Sequence, residues 1–238
     1  QTTRTRLSGM VSVLLVQPRQ GEAVAAAERR DFLQATGLKP QELTSRMLDT
    51  TTSRIGSLEG FDGVIVGGSP LNATNFEYSD WQRHVHRELS LLINHPLPTI
   101  FVCYGNTFLT FFSGGQIGRT HPEDSGATTV LLTDAGKRDV LTQDLPDSFT
   151  SFTGHTENSV APAPGHVVLA TGPTCPIQML RANKNTWSVQ FHADMDAVGM
   201  KNRMDFYSNY GYFSPEDYDR IIAELPSVDS IYANRVLR

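Results

Sequence analysis

Three short stretches of the chain carry residue types that could work together chemically. Cys103 closes the apolar run Thr99-Ile-Phe-Val-Cys-Tyr104 and is followed by Gly105 and a helical stretch. A side chain at such a strand-to-helix corner is thrust out at the carboxyl edge of a sheet, and the helix N-terminus behind it favours a thiolate. Gly105 lets the backbone turn without a Cβ clash. Taken alone, a free cysteine is more often a small buried core residue than a nucleophile. A nucleophilic thiol needs a base, and the base needs an orienting group. His192 follows the β-type run Trp187-Ser-Val-Gln-Phe191, and Asp194, two residues on, is within reach of a ring nitrogen once the strand bends away. Gly67-Gly68-Ser69 follows the run Phe61-Asp-Gly-Val-Ile-Val66 and offers close backbone N–H groups for an oxyanion. Nucleophile, base and donors thus fall at three strand ends, where ligands of open parallel sheets gather.

Other reactive types fit such a scheme less well. His84 and His86 stand two apart on a predicted helix, so they point to different faces, make a poor metal pair and are expected at the surface. His121 and Glu123 read as parts of a solvated turn with no third metal ligand in view. Cys175, between Pro173 and Pro176, reads as packing, and Asn72-Ala-Thr74 matches a glycosylation sequon by pattern only. No Gly-x-x-x-x-Gly-Lys-Ser/Thr loop occurs, so the chain by itself is not expected to activate an acceptor with ATP. The chemistry requires no metal and no organic cofactor.

The elements that must position these residues alternate. Beyond a frayed lead-in expected up to Met10, Val11 to Val16 reads as a strand buried on both faces. A helix is predicted from Glu22 to Gln34, with Gly37 as its stop. Phe61 to Val66 and Thr99 to Tyr104 are further buried strands. Between them Trp81, Val85, Leu89 and Leu92 share a helical face, with Ser79 and Gln82 as a capping box. Strand and helix in alternation at these lengths mean right-handed crossovers and a parallel sheet. After Gly126 the style changes to short β-type runs: Ala127 to Leu132, His166 to Ala170, Ile177 to Leu180 and Trp187 to Phe191. Two helices are predicted to close the chain, one before Tyr210 and one starting from Ser214 as N-cap and Pro215 at its first position. The expected architecture is α/β and flavodoxin- or Rossmann-like, a single domain over residues 1–238. It has three layers around a mostly parallel open sheet, with extra short strands in the second half.

Composition narrows the class. The chain has 238 residues, 39% of them hydrophobic, a net charge of −5 and two cysteines. That length buries a sizeable core without disulfide or metal staples, and two cysteines build no disulfide framework. No apolar run approaches a membrane span, and the start lacks the apolar core of a signal peptide. The acidic balance argues against nucleic-acid binding, whose footprint is a basic patch. A soluble cytoplasmic protein is expected, with no membrane or nucleic-acid partner.

The three stretches, in this order, resemble the class I glutamine amidotransferases, in particular the stand-alone, GMP-synthase-amidotransferase-like kind. That family has a glycine turn after one strand, then a Gly-x-Cys-x-Gly-type elbow, and finally Gln-Phe-His-Pro-Glu. Here stand Gly67-Gly68-Ser69-Pro70, Val102-Cys103-Tyr104-Gly105 and Gln190-Phe191-His192-Ala193-Asp194. Gly114-Gly115, the Glu123/Gly126 stretch and Gly154-His155-Thr156-Glu157 are weaker echoes, and the order matches from Val11 to Asp194. The resemblance implies a cysteine-based glutaminase. Cys103 would form a γ-glutamyl thioester, His192 would pass the proton to departing ammonia, and Asp194 would orient the imidazole. The N–H groups of Tyr104 and Gly68 would hold the oxyanion. Ser69, Thr107 and His155 would contact the substrate, which is glutamine or a related γ-glutamyl amide. With room for little beyond this domain, a separate synthase or acceptor protein would complete any transfer, and a homodimer is among the assemblies the sequence permits. The departures are Phe101 where the family has Gly, Thr107 where it has Gln, and Ala193-Asp194 for Pro-Glu. Phe101 and Thr107 are expected to reshape the pocket. They keep open a hydrolase of γ-glutamyl amides or peptides, and a non-catalytic regulatory module that retains the fold.

Overall fold

The computed structural model describes residues 11–238, so the lead-in expected up to Met10 lies outside the described residues. Strands and helices alternate at first: β1 (Val13–Gln17), α1 (Glu22–Thr36), β2 (Leu43–Met47), β3 (Gly63–Val66), α2 (Asp80–Ser90), β4 (Thr99–Val102) and α3 (Tyr104–Phe112). Strands then dominate: β5 (Gln116–Gly118), β6 (Glu123–Leu132), β7 (Ser148–His155), β8 (Asn158–Ala161), β9 (Val167–Thr171), β10 (Met179–Asn183) and β11 (Thr186–Val189). Helices α4 (Ala197–Phe206), α5 (Tyr218–Glu224) and α6 (Ile231–Arg235) end the chain.

One sheet runs in the order β2-β1-β3-β4-β11-β10-β9-β6-β7, and β5 pairs with β8 apart from it. The members from β2 to β11 are parallel, and every pairing from β11 to β7 is antiparallel. The parallel half is buried on both faces, which explains its near-continuous apolar strands. Leu14 and Val16 of β1 pack with Val85 and Leu89 of α2 and Phe108 of α3. Leu15 points the other way, into a core with Phe32 of α1 and Ala233 of α6. These are the three layers the alternation predicts. Among the described residues no helix is long and apolar enough to cross a membrane.

Most predicted caps are found. Gly37 ends α1 in the left-handed conformation, φ 72°, and Ser79 Oγ accepts from the Gln82 N–H at 3.1 Å to start α2. Ser214 instead precedes a 3-10 turn, and the α-helix proper begins at Tyr218. His84 and His86 correct a sequence expectation, since they are only 2% and 5% exposed. Helix α2 is covered on both flanks. The His84 Nε2–H donates to Ser53 O at 2.6 Å on one side. On the other, His86 packs among Tyr78, Phe108 and Phe112 and shares a 2.6 Å hydrogen bond with Tyr104 Oη. Burial lowers the His86 pKa to about 4, so the ring is neutral.

Candidate active site

Cys103 sits at the corner between β4 and α3 with φ 55° and ψ −105°. Among the described residues it is the single non-glycine residue of positive φ. Such a backbone costs roughly 1–3 kcal/mol and persists only where the surroundings over-determine it. Here the Cys103 N–H donates to Val189 O of β11 at 2.8 Å, and the Asn106 N–H donates to Cys103 O at 2.8 Å. Gly105 completes the corner, because a Cβ there would lie 2.6 Å from Phe101 Cβ. Phe101 does not reshape the pocket as its size suggests. It is fully buried, stacks on Phe108 with ring centroids 5.9 Å apart, and lines neither cleft beside Cys103. Side chains alternate along β4, and position 101 faces the α2/α3 layer.

His192 is fixed by the far edge of the sheet. As the chain leaves β11 it bridges to β7, the His192 N–H donating to Phe152 O at 2.8 Å. His192 Nδ1 lies 3.2 Å from Asp194 Oδ1, with both side chains buried, and His192 and Cys103 line the same cleft. Burial by itself would lower the His192 pKa. The neighbouring Cys103 and the Asp194 carboxylate outweigh it and raise the value to about 9. Asp194 is held below its ordinary value; burial opposes this, and the His192 bond and the nearby Arg203 guanidinium prevail.

Behind this pair lies a buried charge network. The Arg19 guanidinium donates to Glu28 at 2.6 Å, to Gly68 O at 2.5 Å and to Tyr207 Oη at 2.8 Å. It thereby pins the glycine turn after β3. Arg203 Nη2 stands 3.9 Å from Glu28, 4.0 Å from Asp31 and 3.9 Å from Asp194. Burial and the Asp194 charge push Asp31 up to about 6. Gly67 and Gly199 accommodate this packing, since a Cβ on either would lie within 3 Å of the Glu28 or Asp31 carboxylate.

Two clefts meet at Cys103, sharing Ser69, Cys103 and Tyr212 in their walls. The first is lined by His192 and Arg203 together with Met200, Met204, Tyr207 and Phe213. The second is lined by Asn72, Tyr104, His155, Glu157 and Gln190. As the first residue of α3, directly after Cys103, Tyr104 has no intrahelical acceptor for its N–H; Gly68 sits in the turn after β3 with its carbonyl held by Arg19. Ser69 Oγ accepts from the Leu71 N–H at 3.2 Å and closes the turn. Thr107 is fully buried and lines neither cleft; its hydroxyl meets Glu157 at 2.5 Å. Glu157 also accepts from the Ala73 and Thr74 N–H groups at 3.1 and 2.9 Å. His155 spends both ring nitrogens inside the protein, Nδ1 on Glu157 O at 2.8 Å and Nε2 on Glu123 at 2.9 Å.

Glu123 lies at the start of β6 and is buried, not in a solvated turn. Its carboxylate, the His155 ring and the Cys175 sulfur offer ligand atoms within 4.8 Å of one another. The donor set does not suit an ion. Thr128, Thr153, Thr174, Gln178 and His155 already satisfy Glu123, and burial pushes the Cys175 thiol up to about 12. Burial would raise Glu123, but those donors, His155 first, hold it at about 2. The cluster is a structural knot between β6, β7 and the loop before β10.

The structure therefore brings Cys103, His192, Asp194, Gly68, Tyr104 and Ser69 to one place, while His155 lines the second cleft and Thr107 stands behind it. Sequence reasoning misses Arg19, Arg203, Tyr207 and Tyr212. Of these only Arg19 carries a local signal, a cation just beyond the carboxyl end of β1; the others come from a segment with no motif.

A three-layer α/β sheet with a strained cysteine elbow and a histidine–carboxylate pair at its carboxyl edge defines a small set of acyl-transfer folds. The family model for class I glutamine amidotransferases matches residues 33–205, and the chain belongs to that family. One subunit of the glutamine-hydrolyzing GMP synthase of Sulfolobus acidocaldarius is 24% identical over 148 residues, covering 61% of this chain and 74% of the relative. The corresponding subunit from Methanocaldococcus jannaschii is 24% identical over 161 residues, covering 66% and 79%. The glutamine-hydrolyzing GMP synthase of Neisseria meningitidis serogroup C is 25% identical over 134 residues, and the match covers only 24% of that longer protein. Among solved structures, a glutamine amidotransferase from Thermotoga maritima superposes with a TM-score of 0.69 at 18% identity, covering 96% of this chain and 99% of the other. One from Methylobacillus flagellatus gives 0.69 at 16%, covering 96% and 93%. These two likenesses speak for the fold alone.

Proposed function

We propose that the protein is a cysteine-dependent amidase that releases ammonia from glutamine, or the amine from a related γ-glutamyl amide, through a γ-glutamyl thioester on Cys103. One observation carries the reading: the strained elbow sets Cys103 against a buried His192 that Asp194 holds and whose pKa is raised to about 9. In the proposed sequence the Cys103 sulfur attacks the amide carbon, and the oxyanion is taken by the N–H groups of Tyr104 and Gly68. His192 gives its proton to the departing nitrogen, and a water then attacks the thioester with His192 as base, releasing glutamate. Asp194 fixes the tautomer and steadies the imidazolium. The short Asp arm reaches because His192 and Asp194 lie on one bend, 3.2 Å apart. Ser69 shapes the turn at the thiol, and Thr107 and His155 act on the substrate pocket through Glu157 and the wall they brace.

The names of the archaeal relatives, subunits of a glutamine-hydrolyzing synthase, support delivery of ammonia to a separate synthase protein. The test is ammonia release from glutamine by the purified chain, read in a coupled glutamate dehydrogenase assay. The wild type sustains release and Cys103→Ala loses it by at least ~10³-fold, the scale on which triad members act; equal release by the variant overturns the reading.

A further inference from the structure

The bend that carries His192 and Asp194 runs straight into α4, whose N-cap is Asp196, its carboxylate accepting from the Gly199 N–H at 2.7 Å. Arg203 stands one turn beyond Gly199 on the same helical face. Gly199 lets that face close on α1, since a Cβ there would lie 2.9 Å from Asp31 Oδ1. The guanidinium delivered in this way is mostly buried, its side chain 11% exposed. It also comes up against the site: a Cβ built on Gly68 would lie 3.5 Å from His192 Cε1 and 3.7 Å from Arg203 Nη1.

Three carboxylates stand 3.9–4.0 Å from Arg203 Nη2, and they are not equivalent. Glu28 is committed to other donors, Arg19 at 2.6 Å and Gln17 at 3.0 Å. Asp31 gives Oδ1 to Arg30, and burial together with the Asp194 charge pushes it up to about 6. Asp194 gives Oδ1 to His192, while its Oδ2 is buried with no hydrogen-bond partner among the described residues. Arg203 Nη2 is likewise buried without one, and these two orphaned atoms lie 3.9 Å apart. At that range a cation lowers a carboxyl pKa by roughly 1–3, and a buried charge deprived of its partner is strongly destabilised.

We propose that Arg203 is a positioning residue for the catalytic pair, the fixed counter-charge that keeps Asp194 a carboxylate aimed at His192. It acts through Asp194, and the role rests on the thioester reading proposed above. The other groups around Asp194 do not replace it. Arg19 is committed to Glu28, Gly68 O and Tyr207 Oη. Glu28 and Asp31 on α1 are themselves acids, and α6 contributes the neutral Asn234, whose amide donates to Ala193 O and Met195 O at 2.8 and 3.2 Å.

Loss of a buried cation raises the pH at which the neighbouring acids give up their protons. Iodoacetamide labelling of Cys103 in the full chain, followed across pH and located by peptide mapping, reads this without any turnover. In Arg203→Gln and Arg203→Met the pH at which Cys103 becomes reactive should rise by about one unit or more. Arg203→Lys, which keeps the charge, should stay at the wild-type value, and the acid limb of ammonia release from glutamine should follow the same pattern. Helix packing alone would change the urea midpoint and leave these pH values in place. Folded neutral variants with an unmoved labelling profile, or a lysine variant that shifts as far as they do, overturn the positioning role and leave the thioester chemistry standing. Neutral variants that unfold while Arg203→Lys stays folded assign the charge to stability and overturn the role too. Ammonia release that survives in Cys103→Ala overturns the thioester reading instead.

Discussion

Cys103 owes its position to a backbone that side chains rarely adopt, φ 55° and ψ −105°, clamped at both ends by hydrogen bonds to β11 and α3. Its partner is tuned more than it is strained. Burial alone would keep His192 neutral at physiological pH, but Cys103 and Asp194 hold it protonated up to about 9. The sign follows for activity. A group whose pKa is raised stays in its protonated, proton-donating form below that value and loses it as pH climbs through it. kcat/KM should be level through neutral pH and fall as pH passes about 9. Asp194→Asn removes the charge and the carboxylate acceptor, so the alkaline limb should move down toward neutral pH while the rate drops ~10²–10⁴-fold. A pH–rate profile of the two proteins checks this, and an unmoved limb in the variant would show that Asp194 does not set the imidazole.

Elements β1, β3, β4 and β11 bring the site together because each ends at the same edge of the sheet. At this scale a tight contact joins β4 and α3, where Gly105 leaves room for Phe101. Gly105→Ala should destabilise the fold by about 1–3 kcal/mol through overpacking, and Phe101→Ala by about 3–5 kcal/mol through an unfilled cavity. The double variant should lose close to the sum, since Ala at position 101 keeps the Cβ that the new methyl meets at 2.6 Å. Urea unfolding of the three variants measures it; a double variant far more stable than the sum would place the clash on the ring instead. The same buried strands are the ones legible as apolar runs in the sequence. β2, Leu43-Thr-Ser-Arg-Met47, is an edge strand with much of its side-chain surface outside the core, so it shows no such run. β7, Ser148 to His155, is rich in Ser and Thr that find partners only in the folded sheet. Neither announces itself by periodicity, and the five residues of α6 are too few to do so.

Across the whole molecule the site depends on contacts between residues far apart in the chain. Cys103, His192, Asp194 and the Gly68 turn were legible because each follows a recognisable strand. The Arg19–Tyr207 bond spans 188 residues, and the Phe152–His192 bridge joins the far edge of the sheet to its middle. Such pairings leave no local trace, which is why the His192 cleft and its aromatic wall were not foreseen. Phe101 and Thr107 misled for the same reason, because their surroundings come from α3 and from Glu157. The most direct measurement on the assembled molecule is the mass of the full chain, acid-quenched within the first turnover of glutamine, followed by peptide mapping. A γ-glutamyl increment on the peptide carrying Cys103, absent from Cys103→Ala and from the Cys175 peptide, is the predicted result. Turnover with no adduct on Cys103, or with the adduct on another residue, would contradict it.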